Sequence, residues 1–177
     1  MEQPLTSLYN SFMLYRFKLP IILVTIIALP FMENFACMAE TGLTLPRFAS
    51  IRASKVHLRA GPGIRYPVDW IFVRRGQPVE ITAEFKDWRK VRDWQGTEGW
   101  VHRSMLSGRR TVVIKGGIQP LRREAHQESP LTARVMEKEI GRVIKCEQNW
   151  CKLELGKIRG WMQKIHLWGT YQAEKLN

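Results

Sequence analysis

Cysteine, histidine and acidic side chains are all scarce in this chain. Only 3 Cys and 4 His occur in 177 residues, which is too few for a metal-rich centre or a disulfide-dense scaffold. The 16 Asp and Glu are outnumbered by 28 Lys and Arg, so the formal net charge is +12. This length accommodates one domain or two small ones, which argues against a large metabolic enzyme. What is present is a small basic chain with 7 Trp and 45% hydrophobic residues, enough for a packed core.

Long apolar runs are also missing, with one informative exception near the N-terminus. Residues 19–32 form an apolar run of 14 residues behind the basic Arg16 and Lys18. A membrane-spanning helix needs ~20 such residues, whereas the apolar part of a signal peptide has ~7–15. Small residues ending at Ala39 then provide a cleavage site. We therefore predict that residues 1–39 are a signal peptide.

This leader predicts a periplasmic or secreted protein. Cleavage after Ala39 removes two basic and two acidic residues, so residues 40–177 keep a formal charge of +12. Two alternatives stay open, namely a lipoprotein anchored through Cys37 and a leader that is retained as an anchor. The start is either Met1 or Met13, because the segment before the apolar run is long for a signal peptide.

The rest of the chain contains the same set of landmarks twice. In the first unit they are Leu58, Pro67, Trp88, Gly99 and Leu106, and in the second they are Leu121, Pro130, Trp150, Gly160 and Leu167. The spacing between equivalent residues falls from 63 to 61 along the unit, as shortened loops would produce. A shared order of this kind indicates a tandem repeat. We assign domains at 48–107 and 110–170, a short linker at 40–47 and a C-terminal tail at 171–177.

Each unit shows the period-two pattern of half-buried strands. Residues 79–85 alternate apolar and polar side chains, and turns containing Gly or Pro separate such runs. Residues 131–144 also suit a helix, but Gly76 and Pro78 interrupt their counterpart in the first unit, which favours strands. Many short strands at this spacing predict an all-β fold built from two small β-barrels.

Several short motifs of the first unit occur in a fixed order. They read His57-Leu58-Arg59-Ala60-Gly61-Pro62-Gly63, Tyr66-Pro67-Val68, Trp88-Arg89-Lys90-Val91 and Gly99-Trp100-Val101. This set resembles the bacterial SH3-like (SH3b) domain, in an exported proteobacterial subfamily with two tandem units. The second unit is similar to that subfamily's degenerate repeat, with Cys146-Glu147-Gln148-Asn149-Trp150-Cys151. The resemblance implies two SH3-like barrels with a binding or scaffolding role, often at the cell wall. It departs from the family at His57, which usually is Asn.

The Gly-Pro-Gly turn is missing from the second unit, so we place candidate ligand-binding residues in the first unit only. They are Arg59, Gly61, Pro62, Gly63, Tyr66 and Trp94. The turn either simply joins two strands or lets a ligand backbone come close. Arg59 either pairs with a nearby Glu or binds a ligand carboxylate. Trp94 is either half-buried or free to stack on a sugar or a proline-rich peptide.

The other tryptophans follow the repeat. Trp88, Trp100, Trp150 and Trp161 occupy equivalent positions in two units that differ elsewhere. This equivalence predicts that the four indoles pack in the cores of the two barrels.

Cys146 and Cys151 are the only cysteines after the predicted cleavage. Export brings them into an oxidising compartment, which favours a bridge between them. In a hairpin with a four-residue loop, the two thiols face each other at a distance that a disulfide accepts. A redox pair usually has two intervening residues and a zinc site needs four ligands. We therefore predict a structural disulfide.

No arrangement of residues points to catalysis, a metal or a cofactor. The four His are scattered, and both remaining thiols are expected to be oxidised. We expect a non-catalytic exported module that recognises peptidoglycan peptide or an envelope protein. Two alternatives are a purely structural pair of barrels, and a basic protein that binds anionic lipid or lipopolysaccharide. Export argues against nucleic acid as the partner of the positive charge.

Overall fold

The computed structural model describes residues 41–176, and these form an almost entirely β structure. Two antiparallel sheets of seven strands each, with two short 3₁₀ turns, make up this part of the chain. The predicted fold of two tandem SH3-like β units is therefore confirmed. Within residues 41–176, no helix is long and apolar enough to span a bilayer. The predicted signal peptide, its cleavage site and Cys37 lie outside the described residues.

The first barrel consists of strands β1 to β7. They are β1 (Arg47–Ile51), β2 (Val56–Arg59), β3 (Val68–Phe72), β4 (Pro78–Phe85), β5 (Trp88–Arg92), β6 (Glu98–His102) and β7 (Leu106–Ser107). The order across the sheet is β3-β2-β6-β5-β4-β1-β7, so β3 lies at an edge. A 3₁₀ turn at Arg103–Met105 connects β6 to β7.

The second barrel repeats this topology. Its strands are β8 (Thr111–Ile114), β9 (Gln119–Arg122), β10 (Leu131–Val135), β11 (Ile140–Glu147), β12 (Trp150–Leu155), β13 (Ile158–Gln163) and β14 (Leu167–Trp168). Their order, β10-β9-β13-β12-β11-β8-β14, is the order of the first sheet strand by strand. The segment that also suited a helix forms β10 and β11, as the repeat predicted.

Aliphatic side chains fill both barrels. Leu58 and Val91 are fully buried in the first barrel, and the equivalent Leu121 and Leu153 are fully buried in the second. The prediction that the repeated tryptophans lie in the cores holds only for Trp161, and the other three are half-buried. The interior of so small a barrel is filled mainly by aliphatic side chains, which leaves three of the four indoles only half-buried.

The disulfide between Cys146 and Cys151 is confirmed. The two residues lie directly opposite each other on β11 and β12, with 4.1 Å between their α-carbons. The hairpin loop is shorter than predicted, because Glu147 and Trp150 also pair and leave a two-residue turn. Gln148 has a φ of 42° in this turn, which is the left-handed conformation that tight hairpin turns require.

The equivalent place in the first barrel holds an ion pair. Glu84 lies opposite Arg89 on β4 and β5, and the Arg89 Nε lies 3.0 Å from the Glu84 Oε1. Arg47 and the Thr41 amide also donate to this carboxylate, whose side chain is 1% exposed. Burial alone raises the pKa of Glu84, but the hydrogen bonds from Arg47 and Thr41 outweigh burial and hold it below its ordinary value.

The segments expected to be a linker and a tail both pack on the barrels. Leu45 is buried in the first core. In the second barrel, the buried Lys164 Nζ donates to the carbonyls of Gln172 and Glu174 at 2.9 and 2.6 Å. Leu176 then forms an antiparallel bridge with Cys146. The C-terminal segment therefore covers part of the second barrel.

Direct contacts join the two barrels. The Tyr171 hydroxyl donates to the Glu80 Oε1 at 2.7 Å, and the Thr111 hydroxyl donates to the Gly76 carbonyl at 2.7 Å. The Phe48 ring meets Trp168 edge-on, with 5.0 Å between the ring centroids. Burial and the hydrogen bond to Glu80 raise the pKa of Tyr171, so its hydroxyl keeps the proton that it donates.

Candidate functional site

The loop between β2 and β3 carries four of the six candidate residues, and a fifth, Arg59, ends β2. Its base is closed by a hydrogen bond of 3.1 Å from the Ala60 amide to the Pro67 carbonyl. The guanidinium of Arg59 crosses the loop, and its Nη1 donates to the carbonyls of Ile64 and Tyr66 at 3.0 and 2.7 Å. The partners of Arg59 are therefore loop carbonyls rather than the predicted Glu. Its main role in this structure is to hold the loop in shape.

Gly61 is required by the ring of Tyr66. A Cβ atom at Gly61 would lie 2.4 Å from the Tyr66 Cδ1, far inside contact distance. Neither Gly61 nor Gly63 has a positive φ, so the turn needs space there rather than an unusual backbone angle. The Tyr66 ring packs against Gly61 and Gly63 and is 37% exposed.

The second barrel supports this explanation. Ser129 takes the place of Tyr66, and Glu124 takes the place of Gly61. The Ser129 hydroxyl accepts a hydrogen bond from the Glu124 amide at 2.9 Å. Where the ring is absent, the glycine is absent too.

The loop forms one wall of a groove that opens on the first barrel. The opposite wall is the turn between β4 and β5. The groove has a volume of about 540 Å³, and its lining residues are Pro62, Gly63, Ile64, Arg65, Phe85, Lys86, Asp87, Trp88 and His102. We call it the loop–hairpin groove. Its exposed apolar residues are Ile64 (82%) and Phe85 (48%), which is the apolar lining expected of a binding cleft.

Strand pairing fixes the aromatic side of this groove. Trp88 and His102 are direct partners on β5 and β6. Their rings meet edge to face, with 5.6 Å between centroids and an angle of 86°. The His102 Nδ1 accepts a hydrogen bond from the Ser104 amide at 3.3 Å and caps the following 3₁₀ turn. The ring is therefore held in place before any ligand arrives.

The rim of the groove is cationic. Asp87 is paired with Arg103, whose Nε lies 2.7 Å from the Asp87 Oδ1, and both side chains are exposed. Arg65 and Lys86 add two positive charges. Aromatic and aliphatic walls with a basic rim suit an extended peptide that carries carboxylates. Across residues 41–176, no cluster of three or more His, Cys, Asp or Glu is placed to hold a metal.

The equivalent groove on the second barrel differs at decisive positions. Ala125 and Trp150 correspond to Pro62 and Trp88, but Glu147 replaces Phe85. Lys175 from the C-terminal segment also lines this space. The second groove therefore lacks part of the apolar wall and contains part of the protein's own chain.

Trp94 lies apart from the loop–hairpin groove. It is half-buried and lines a second concavity with Trp70. Of the predicted ligand residues, the groove thus contains Pro62 and Gly63, while Arg59, Gly61 and Tyr66 shape the loop. Sequence reasoning missed Phe85 and His102. For His102 the sequence held one signal. It follows the repeated Gly99-Trp100 landmark, but its equivalent in the second unit is Gln163, so the histidine is not needed for the fold.

Comparison with protein families decides the classification. The family model for the bacterial SH3 domain matches residues 52–108 and again residues 115–169. The chain belongs to the bacterial SH3 domain family. The resemblance found in the sequence is thereby confirmed for both units. Bacterial SH3 domains are binding domains that are typically associated with the cell wall.

Solved structures show distant similarity to this bacterial SH3 protein. NlpC2 from Trichomonas vaginalis has 10% identity and a TM-score of 0.33, over 73% of this chain and 50% of that one. An NlpC/P60 family protein from Bacillus cereus has 13% identity and a TM-score of 0.32, over 68% and 55%. The chain spans about half the length of these proteins. No curated protein sequence matches it.

Proposed function

We propose that this protein is an exported, non-catalytic binding protein that holds a peptidoglycan stem peptide in the loop–hairpin groove of its first barrel. The observation that carries the proposal is the contrast between two equivalent grooves. The first is open, with Phe85, Trp88 and His102 on one wall and Pro62 and Ile64 on the other. In the second groove, Glu147 and Gln163 occupy the positions equivalent to Phe85 and His102.

The chemistry of the groove suits this ligand class. A stem peptide is short, extended and rich in carboxylates. Arg65 and Lys86 lie where those carboxylates would reach the rim, and the ring of Trp88 offers a face for the peptide's aliphatic parts. The net charge of +12 favours approach to an anionic polymer. The predicted leader would deliver the protein to the periplasm, where this polymer is found.

The proposal is tested by co-sedimentation with isolated peptidoglycan at low and high salt, using protein purified from cells that express the full chain. Trp88→Ala is compared with Trp150→Ala, its equivalent in the second barrel. Ile64→Glu is compared with Gln127→Glu, which adds the same charge to the equivalent loop. Because Ile64 is 82% exposed, its replacement leaves the fold intact. We expect Trp88→Ala and Ile64→Glu to weaken binding about tenfold or more, and the two controls to leave it unchanged.

Three results would reject the proposal. Binding that is equally weakened by both members of a pair would show no preference for the first groove. Binding that disappears in high salt and is unchanged in all four variants would indicate that a charged surface binds anionic lipid or polymer without using the groove. Absence of binding at either salt concentration would favour an envelope protein as partner, or a purely structural role.

A further inference from the structure

The edge strand β3 exposes an unusual amount of apolar surface. Its residues Val68, Trp70 and Ile71 are 40%, 54% and 38% exposed, and Val73 just beyond it is 69% exposed. An edge strand leaves alternate backbone N–H and C=O groups without a partner from its own sheet. Such edges are normally protected by charges, prolines or bulges. Pro67 and the bulge at Asp69 protect only the beginning of this one.

A narrow slot runs along this edge. It measures about 200 Å³, and the side of it formed by the first barrel includes five consecutive residues, Trp70 to Arg74. Three of these residues, Trp70, Ile71 and Phe72, belong to β3. Successive side chains of a strand point to opposite faces, so a cleft that all three line runs beside the edge of the strand. Trp94 from the loop after β5 and, from the second barrel, Val113 and Ile140 also line it.

The features that make the slot apolar are absent from the repeat. Ala133 occupies the position of Trp70, and Gly156 lies in the shorter loop that replaces Trp94. Arg134 occupies the position of Ile71, which gives β10 the charged edge that β3 lacks. The indoles of Trp70 and Trp94 are therefore not needed to build a barrel of this kind.

The ionisable groups at the slot give it positive charge. Arg74 and Lys138 both line it, and the Arg74 Nη1 donates to the main-chain carbonyl of Lys138 at 2.9 Å. The nearby carboxylate of Asp93 is buried and accepts hydrogen bonds from the amides of Gln95 and Thr97, each at 2.9 Å. Asp93 is therefore engaged in its own loop, and a partner meets the two cations.

We propose that the slot is a second binding site, in which an extended acidic peptide adds to the first sheet as a strand beside β3. Main-chain hydrogen bonds to β3 provide the affinity, and apolar side chains of the peptide enter between Trp70 and Trp94. Acidic residues of the peptide face Arg74 and Lys138. This proposal is independent of the loop–hairpin groove.

The test is a selection of displayed random dodecapeptides on the full protein. We expect the enriched peptides to be acidic, with apolar residues at every second position. The best peptide, made synthetically, should bind about tenfold more weakly or worse to Trp70→Ala/Trp94→Ala and to Lys138→Glu. The matched control is Leu131→Ala/Met136→Ala, which removes an exposed apolar side chain on β10 and another just after it. This variant should bind normally. Trp88→Ala, in the other groove, should also bind normally.

Amide hydrogen exchange gives the decisive readout. An added strand slows exchange of backbone amides on β3, whereas a ligand that only touches side chains does not. Binding without slower exchange in residues 69–73 would overturn the proposal. Failure of the selection to enrich any peptide that distinguishes the protein from its double Trp variant would also overturn it. A third result would also overturn it, namely that the glycan probe chitotetraose binds in a way that depends on Trp70 and Trp94, while no peptide binds in that way.

Discussion

Replacing Gly61 by alanine tests whether the glycine of the Gly-Pro-Gly turn is needed for the packing of the loop or for the binding of a ligand. The added Cβ would lie 2.4 Å from the ring of Tyr66, so the ring has to leave its position. Overpacking of this kind costs about 1–3 kcal/mol. At Gly63 the same change places the Cβ 3.4 Å from the ring, which is ordinary contact, and Gly63→Ala is the matched control.

A double-mutant cycle with Tyr66→Ser isolates the cause. Without the ring, the alanine at position 61 has room, and its smaller unfolded-state entropy stabilises the protein by about 0.4–1 kcal/mol. The coupling free energy between the two changes is therefore about 1.5–4 kcal/mol. The second barrel already carries this combination in principle, because Ser129 there accompanies Glu124.

The assay is urea unfolding of the wild type, the two single variants and the double variant. We expect Gly61→Ala to be destabilising in the wild-type background and neutral or stabilising in the Tyr66→Ser background. An equal cost in both backgrounds would refute the steric argument. Full stability of Gly61→Ala together with lost peptidoglycan binding would assign the glycine to the ligand instead.

Two further predictions concern the equivalent cross-strand positions of the two barrels. Cys146→Ser/Cys151→Ser should lower the free energy of unfolding by about 2 kcal/mol, as expected for so short a closed loop, and an unchanged urea midpoint would contradict this. The pKa of Glu84 is lower in the folded protein than its ordinary value of 4.5. Its contribution to the free energy of unfolding is therefore fully present above pH 4.5 and is lost as the pH falls through the folded-state pKa. Glu84→Gln should flatten the acid side of the stability–pH curve, and an unchanged slope there would count against the ion pair.

The barrels and the disulfide could be predicted because their signals are local or repeated. Alternation over residues 79–85 marks a strand without any knowledge of its neighbours, and two copies of one pattern settled the ambiguous segment at 131–144. The repeat also placed Cys146 and Cys151 in a hairpin. The turn is two residues shorter than predicted. A two-residue turn here needs Gln148 in the left-handed conformation, which a glutamine in the sequence does not predict.

The composition of the sites could not be predicted in the same way. Phe85 and His102 line the same groove as Pro62 because β4, β5 and β6 pair in one particular register. The sequence of a single strand does not determine its register with its neighbours. The slot depends on β3 being last in the sheet, which is a property of the strand order. The sequence offered Trp94 as a candidate, but not the concavity that it shares with Trp70, which is 24 positions away in the sequence.

The contact between Tyr171 and Glu80 has a consequence for the slot, because the slot is lined by residues of both barrels. A ligand bound there would touch both barrels and would therefore stabilise their packed arrangement. By thermodynamic linkage, a change that loosens the packing would weaken the binding of such a ligand by the same free energy. The loop–hairpin groove is lined by the first barrel alone, so its ligand would not sense this coupling.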